Sequence, residues 1–288
     1  MVTLTQYQID ELLLLLEPEK NCSDLGFFSK PFRISYSGEE LVVKLYHPVR
    51  DLSLVSSIIE NHDLYMAALT ATGIKIPPTA ITCRQLKGKQ QLIIIQEAFH
   101  EKELMRKLVK EASVDRLETL CRLIFDDILK FWTGKSPSLN MGFHPTLRNY
   151  AVRNSELYYF DTFPPMLMEQ RELNRIMVTM APFRTLIKYI LPSRAINIVS
   201  DEYYAPDRMF TGVVGSCCRL RPEAAHQILS FSIRYLENSL LFSGKEKGRL
   251  TRLLQKPPDL SKLWLSVRKL TGNIGEPNIV FKARHLLL

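Results

Sequence analysis

Long apolar runs are missing from this chain. No uninterrupted apolar stretch, Leu12 to Leu16 among the longest, approaches the roughly 20 residues that a membrane-spanning helix needs. The opening Met-Val-Thr-Leu-Thr has no basic segment of the kind that begins a signal peptide. The expectation is a soluble, cytoplasmic protein with no membrane span. Cysteine is scarce: Cys22, Cys83, Cys121, Cys217 and Cys218 are odd in number and scattered, and no C-x-x-C pair occurs. That pattern supplies neither a disulfide framework nor a zinc site and suits a reducing compartment, with buried thiols as the ordinary role. Internal repeats and low-complexity segments are also absent.

Basic residues exceed acidic ones, for a net charge of +8, but clusters interleaved with aromatics do not occur. The densest cluster, Gly244-Lys-Glu-Lys-Gly-Arg-Leu-Thr-Arg, carries a Glu and reads as a solvated loop or helix start rather than a nucleic-acid patch. The excess still favours anionic partners, either a nucleotide or an acidic protein. With 288 residues, 46% of them hydrophobic, the chain can bury a large core as one domain or two lobes.

Periodicity divides the chain. Leu4, Ile9, Leu12, Leu13 and Leu16 predict an amphipathic N-terminal helix over residues 3–17, packed as an extension on the first lobe. Alternation from Phe27 to Tyr46, interrupted at Ser37-Gly38-Glu39-Glu40, predicts a hairpin. A helix runs from Pro48 to Gly73 on Leu52, Val55, Ile58, Ile59, Tyr65 and Leu69, and two short strands come next on either side of Lys87-Gly88. After Phe99 helix formers dominate: one helix over Glu101–Glu111, a longer one over Val114–Thr133, then a loop and a hairpin turning near Asn154-Ser155. From Glu169 onward the pattern is mostly helical, broken at Pro182, Pro192, Pro206, Pro222 and Pro257-Pro258. The fold class is α+β, with residues 1–99 as a β-rich lobe and 100–288 as a mainly helical one.

The segment Gly142-Phe143-His144-Pro145-Thr146-Leu147-Arg148-Asn149, with Asp161 twelve residues beyond Asn149, carries the most chemistry. Together with the element order it resembles the bilobal protein-kinase-like fold, and in detail the aminoglycoside and choline phosphotransferase branch. That branch has a loop of the form H-G-D-x-H-P-x-N followed by a hairpin and an Asp. The resemblance implies an ATP and Mg²⁺ site. Asn149 and Asp161 would be the metal ligands, hard oxygen donors to an ion completed by phosphates and water. Lys44, at the end of Val-Val-Lys, would contact the phosphates, and Glu60 in the next helix would orient it unless it is simply a solvated residue. The backbone around Gln96 and Ala98 would meet the adenine edge.

Two features depart from the family. His144 stands where the catalytic Asp belongs, no Asp occurs between Asp127 and Asp161, and Gly142 replaces the family's His. The glycine-rich loop is reduced to Gly26 in Asp24-Leu-Gly-Phe-Phe-Ser-Lys-Pro31, with bulky Phe27 and Phe28 beside it. Arg148 is a candidate for a phosphate contact or for a structural salt bridge. His47, His62, His100, His226 and His285 show no ligand spacing. The functional expectation is an ATP-dependent transferase with a rearranged site, moving phosphate or, as a resemblance to selenoprotein O implies, AMP, with His144 at the acceptor. The alternative is a pseudokinase, a binding module or scaffold for a protein or peptide partner.

Overall fold

The structure is a computed structural model that describes residues 6–16, 28–180 and 202–258. It is α+β, a four-stranded antiparallel sheet with one long helix followed by a larger, mainly helical part, in the bilobal order that the kinase resemblance implies.

The sheet comprises β1 (Ser29–Tyr36), β2 (Glu39–Tyr46), β3 (Thr79–Leu86) and β4 (Lys89–Glu97), in the order β1-β2-β4-β3. Its two hairpins turn at Ser37-Gly38 and Lys87-Gly88, where both residues have positive φ. That conformation matches the right-handed twist of the flanking strands, and glycine takes the second position without a Cβ penalty. β4 is buried on both faces, which explains its unbroken Leu92-Ile-Ile-Ile95 run. Ile93 and Ile95 join Leu41, Val43 and Ile34 beneath α1 (Gln6–Leu14), whose Ile9 and Leu12 cover that face. Leu92 and Ile94 lie in the main core with α2 (Leu52–Ala71). Alternation places Lys44 on the same side of β2 as buried Tyr46, away from α1.

α2 is capped by Asp51, whose side chain accepts the Leu54 N–H at 3.0 Å. Its buried stripe is Leu54, Val55, Ile58, His62, Tyr65 and Leu69, whereas Leu52 is exposed because it opens the helix outside that stripe. The helix expected over Glu101–Glu111 is split. A 3₁₀ turn (Glu101–Glu103) precedes α3 (Met105–Glu111), and extended Leu104 between them forms a bridge with Ala151. The pull of that pairing outweighs helix propensity at one residue. α4 (Val114–Gly134) buries Leu117, Leu120, Cys121, Ile124, Ile128 and Phe131 as its periodicity predicts.

Then come a 3₁₀ turn (Leu147–Asn149) and a hairpin of β5 (Tyr150–Arg153) and β6 (Glu156–Tyr159), turning at Asn154-Ser155 with positive φ at both. Among the described residues α5 (Gln170–Met180), α6 (Pro206–Leu220), α7 (Ala225–Asn238) and α8 (Gly244–Leu253) are the further helices of this part, with α4, α6 and α7 packed together. Pro206 starts α6 in the first turn, where proline lacks only an amide that would be unpaired anyway. The breaks expected at Pro182 and Pro192 lie outside the described residues, as do Cys22, Gly26 and Phe27.

Asp127 is the one carboxylate sunk in the α4 stripe, 2% exposed, with Lys130 Nζ at 2.9 Å. Burial lifts its pKa from 3.8 to about 6, against the lowering effect of Lys130 and with a smaller push from Asp126. A raised folded-state pKa means the native protein holds this proton more tightly than the unfolded chain, so stability is full below 3.8 and declines as pH rises through about 6. Asp127→Asn is therefore expected to stabilise the protein in mildly alkaline buffer by roughly 1–3 kcal/mol, a gain that shrinks as pH falls toward 3.8. Urea denaturation across pH measures it; a gain independent of pH would assign the effect to packing instead.

Candidate functional site

The loop that ends at Asn149 is held by its apolar residues. Phe143 stacks on Phe131 of α4 with ring centroids 4.8 Å apart and meets Tyr159 of the hairpin at 4.9 Å. Its N–H donates to Tyr203 O, and the Gly142 N–H donates to Met166 O, both at 2.8 Å. Tyr65 of α2 donates to Gly142 O at 3.1 Å. A Cβ at Gly142 would lie 2.9 Å from the Tyr204 ring and 3.1 Å from Tyr203 O. A side chain at 142 would therefore press on the 3₁₀ segment Glu202–Tyr204.

Next along the chain, the His144 carbonyl accepts from Thr146 N at 3.0 Å and from Asn149 Nδ2 at 2.9 Å. The same Nδ2 lies 3.4 Å from His144 Nδ1, which can accept from it in the tautomer protonated at Nε2. Phe160 N donates to Asn149 O at 2.9 Å, so the two ends of the hairpin hold Asn149 and Asp161 against one another.

Lys44 crosses from the sheet to this hairpin. Its Nζ donates to Phe160 O at 2.9 Å and lies 5.7 Å from the centre of the Phe160 ring. The structure thus brings Lys44, Asn149 and Asp161 together, along with His144 and Arg148. Asp161 is half-buried. Desolvation raises its pKa, opposed first by Lys44 and then by Arg148. Burial pulls His144 down to about 3, and Arg148 pushes in the same direction, so the imidazole is neutral near pH 7.

Glu60 does not join them. It is exposed on α2, and among the described residues no ion pair links it to Lys44. The helix instead turns His62 inward, 1% exposed, with Nε2 2.9 Å from Thr162 Oγ1, one residue past Asp161. Desolvation, and then the Lys44 charge, hold His62 near 4 and therefore uncharged. Its signal in the sequence is its place on the apolar stripe with Ile58, Tyr65 and Leu69, which absence of ligand spacing conceals.

The backbone near Gln96 and Ala98 is also differently employed. Gln96 is paired in register with Val42 on one side and Thr79 on the other, and its Nε2 donates to Thr79 Oγ1 at 3.0 Å. The Ala98 N–H donates to Glu40 O and the Ala98 carbonyl accepts from Arg153 Nη2, both at 2.8 Å. Arg153 also donates to Glu103 and Glu97 and stacks on Phe99, so a hairpin arginine closes the groups expected to meet an adenine edge. Arg148 forms no salt bridge among the described residues.

Asn149 spends its amide nitrogen on His144, which leaves Oδ1 as the atom a hard cation would take, and the desolvated Asp161 carboxylate gains from a neighbouring cation. Among the described residues no group of three or more His, Cys, Asp or Glu forms a complete metal cage. Magnesium held by one or two protein oxygens with phosphate and water needs none. The adenine donor expected at Ala98 is already used.

His62 is expected to hold the 161–163 turn. In His62→Ala the buried Thr162 hydroxyl loses its partner, at a cost of about 1–3 kcal/mol. Urea denaturation reads the loss, and an unchanged midpoint would show that Thr162 is supported otherwise.

No curated protein matches the sequence. Among solved structures, one described as WaaP in complex with acyl carrier protein is similar over 78% of this chain and 91% of that one, at 11% identity and a TM-score of 0.38, a distant likeness. A family model described as a family of unknown function, DUF6206, matches residues 16–275, and the chain belongs to that family.

Proposed function

We propose that the chain is a kinase-like binding protein that takes a magnesium-chelated nucleotide by its phosphates, with Asn149 and Asp161 toward the metal and Lys44 toward the phosphates. The observation that carries this reading is the Lys44 ammonium on Phe160 O, which sets a strand-borne cation one residue from Asp161 although 116 positions separate donor and acceptor. A cation on a rigid strand facing a carboxylate on a hairpin is what phosphate and metal binding require in the phosphotransferase branch. Adenine recognition through Ala98 is not part of the proposal, because its N–H and carbonyl both have partners.

Binding without transfer is favoured over catalysis by the state of His144. A base whose conjugate acid has a pKa of about 3 takes a proton from a hydroxyl poorly, and the ring bears no charge to attract a metal cluster. Transfer of phosphate or AMP is the second reading. A loose phosphoryl-transfer transition state needs positioning and cations more than a base, and Lys44 and Arg148 are cations beside Asp161.

Thermal denaturation with Mg-ATP tests the first reading. A ligand at a hundred times its Kd adds about 2.7 kcal/mol to apparent stability. The expected result is a rise in Tm for the wild type that chelation of magnesium abolishes and that Asp161→Asn and Lys44→Met both remove. No rise in the wild type would overturn it. Incubation with α- and γ-labelled ATP separates the second reading: label transferred to an acceptor, and lost in Asp161→Asn, would make the protein an enzyme.

A further inference from the structure

The linker between sheet and helical part, residues 97–100, is hydrogen-bonded along its backbone to the protein itself. Glu97 N donates to Pro78 O at 3.1 Å and Ala98 N to Glu40 O at 2.8 Å. The Ala98 carbonyl accepts from Arg153 Nη2 at 2.8 Å, and the Phe99 carbonyl accepts from Arg33 Nη2. His100 N donates to Glu103 Oε2 at 2.6 Å, and the His100 carbonyl accepts from Glu103 N at 2.9 Å. Arg33 lies on β1, Glu40 on β2, Arg153 on β5 and Glu103 in the 3₁₀ turn after the linker, so both parts of the molecule hold it.

The linker's aromatic ring is covered as well. Phe99 is 8% exposed, with Arg153 Cζ 4.4 Å from its ring centre and the Tyr158 and Phe160 rings at 5.6 and 5.9 Å. Arg153 is held in turn by Glu103, with Nε 2.9 Å from Oε1, and by Glu97. A base edge is read by N–H and C=O groups, and a base face by an open aromatic ring. At Ala98 and His100 those groups are joined to Glu40, Arg153 and Glu103. The bonds from Arg153, Arg33 and to Glu103 each involve a charged group, and such bonds are roughly twice as strong as neutral ones, so exchanging them for bonds to a base is a net loss. Recognition is left to the phosphate chain and its metal.

We infer that the site takes its ligand by the magnesium-bound phosphate chain alone and does not distinguish the base, so that purine and pyrimidine nucleoside triphosphates and inorganic tripolyphosphate form one ligand class. The inference rests on the reading of Lys44, Asn149 and Asp161 as the phosphate and metal site, and adds what that site selects.

Calorimetric titration of the full chain with Mg-ATP, Mg-GTP, Mg-CTP and magnesium tripolyphosphate tests it. The Kd values are expected to agree within about fivefold, the factor that one net hydrogen bond is worth, and adenosine, which has no phosphate, is expected not to bind. If Mg-ATP binds but Mg-GTP, Mg-CTP or the tripolyphosphate is weaker by more than that factor, or if adenosine binds, the base is read; the inference is overturned and the nucleotide reading stands. If none of the magnesium complexes binds, the nucleotide reading itself is overturned, and the inference with it. Amide hydrogen exchange addresses the linker directly. The Ala98 and His100 amides are expected to exchange at the same rate whether Mg-ATP or magnesium tripolyphosphate saturates the protein. Extra slowing under Mg-ATP would place the base on the linker and overturn the inference.

Discussion

Lys44 reaching the carbonyl of Phe160 is the contact on which the arrangement of the site depends. The strand that carries it is hydrogen-bonded on both sides, so the ammonium has a fixed origin. The hairpin that receives it is fixed in turn by the Asn149–Phe160 backbone bond and by Phe143, wedged between Phe131 and Tyr159. Sheet and helical part meet here through this cation as well as through Tyr65 on Gly142 and Arg153 on Ala98, and Asp161 follows directly on its acceptor. A rigid lysine beside a hairpin carboxylate concentrates opposite charges where solvent is partly excluded, and such charges act on one another more strongly than in water.

Desolvation then decides what the neighbours can do. His62 and His144 both lie where a charged imidazole would be costly, and each is next to a cation, so both remain neutral. His62 becomes a hydrogen-bonding prop for the Thr162 hydroxyl. His144 becomes an acceptor for the Asn149 amide through its ring and its carbonyl. With His144 neutral, Lys44 and Arg148 face the Asp161 carboxylate with no second acid among these five residues, Asn149 included.

Much of the architecture is legible in the sequence because it rests on local signals. The turns at Ser37-Gly38, Lys87-Gly88 and Asn154-Ser155, the α4 stripe and the helix boundary at Pro206 are read from neighbouring residues alone. The joint placement of Lys44, Asn149 and Asp161 is legible through their element order. Glu60 is not, because an isolated acidic residue on a helix does not announce which way it faces, and the stripe that carries His62 inward turns Glu60 outward. Leu104 reads as helical because its pairing with Ala151 lies far along the chain, at a distance that local propensity cannot register.

The elements, their order and the supply of chemistry are already written in the chain: a lysine on a strand, an amide and a carboxylate flanking a hairpin, and a histidine in place of an acid. Those come from periods of two and 3.6 residues and from turn chemistry, which are local. Charge and access were settled by packing. It neutralised both histidines, closed the Ala98 amide with Glu40 and its carbonyl with Arg153, and set position 142 against Tyr203 and Tyr204. Each of these depends on which groups lose water and which meet across the chain, and burial and long-range contact are properties of the packed molecule.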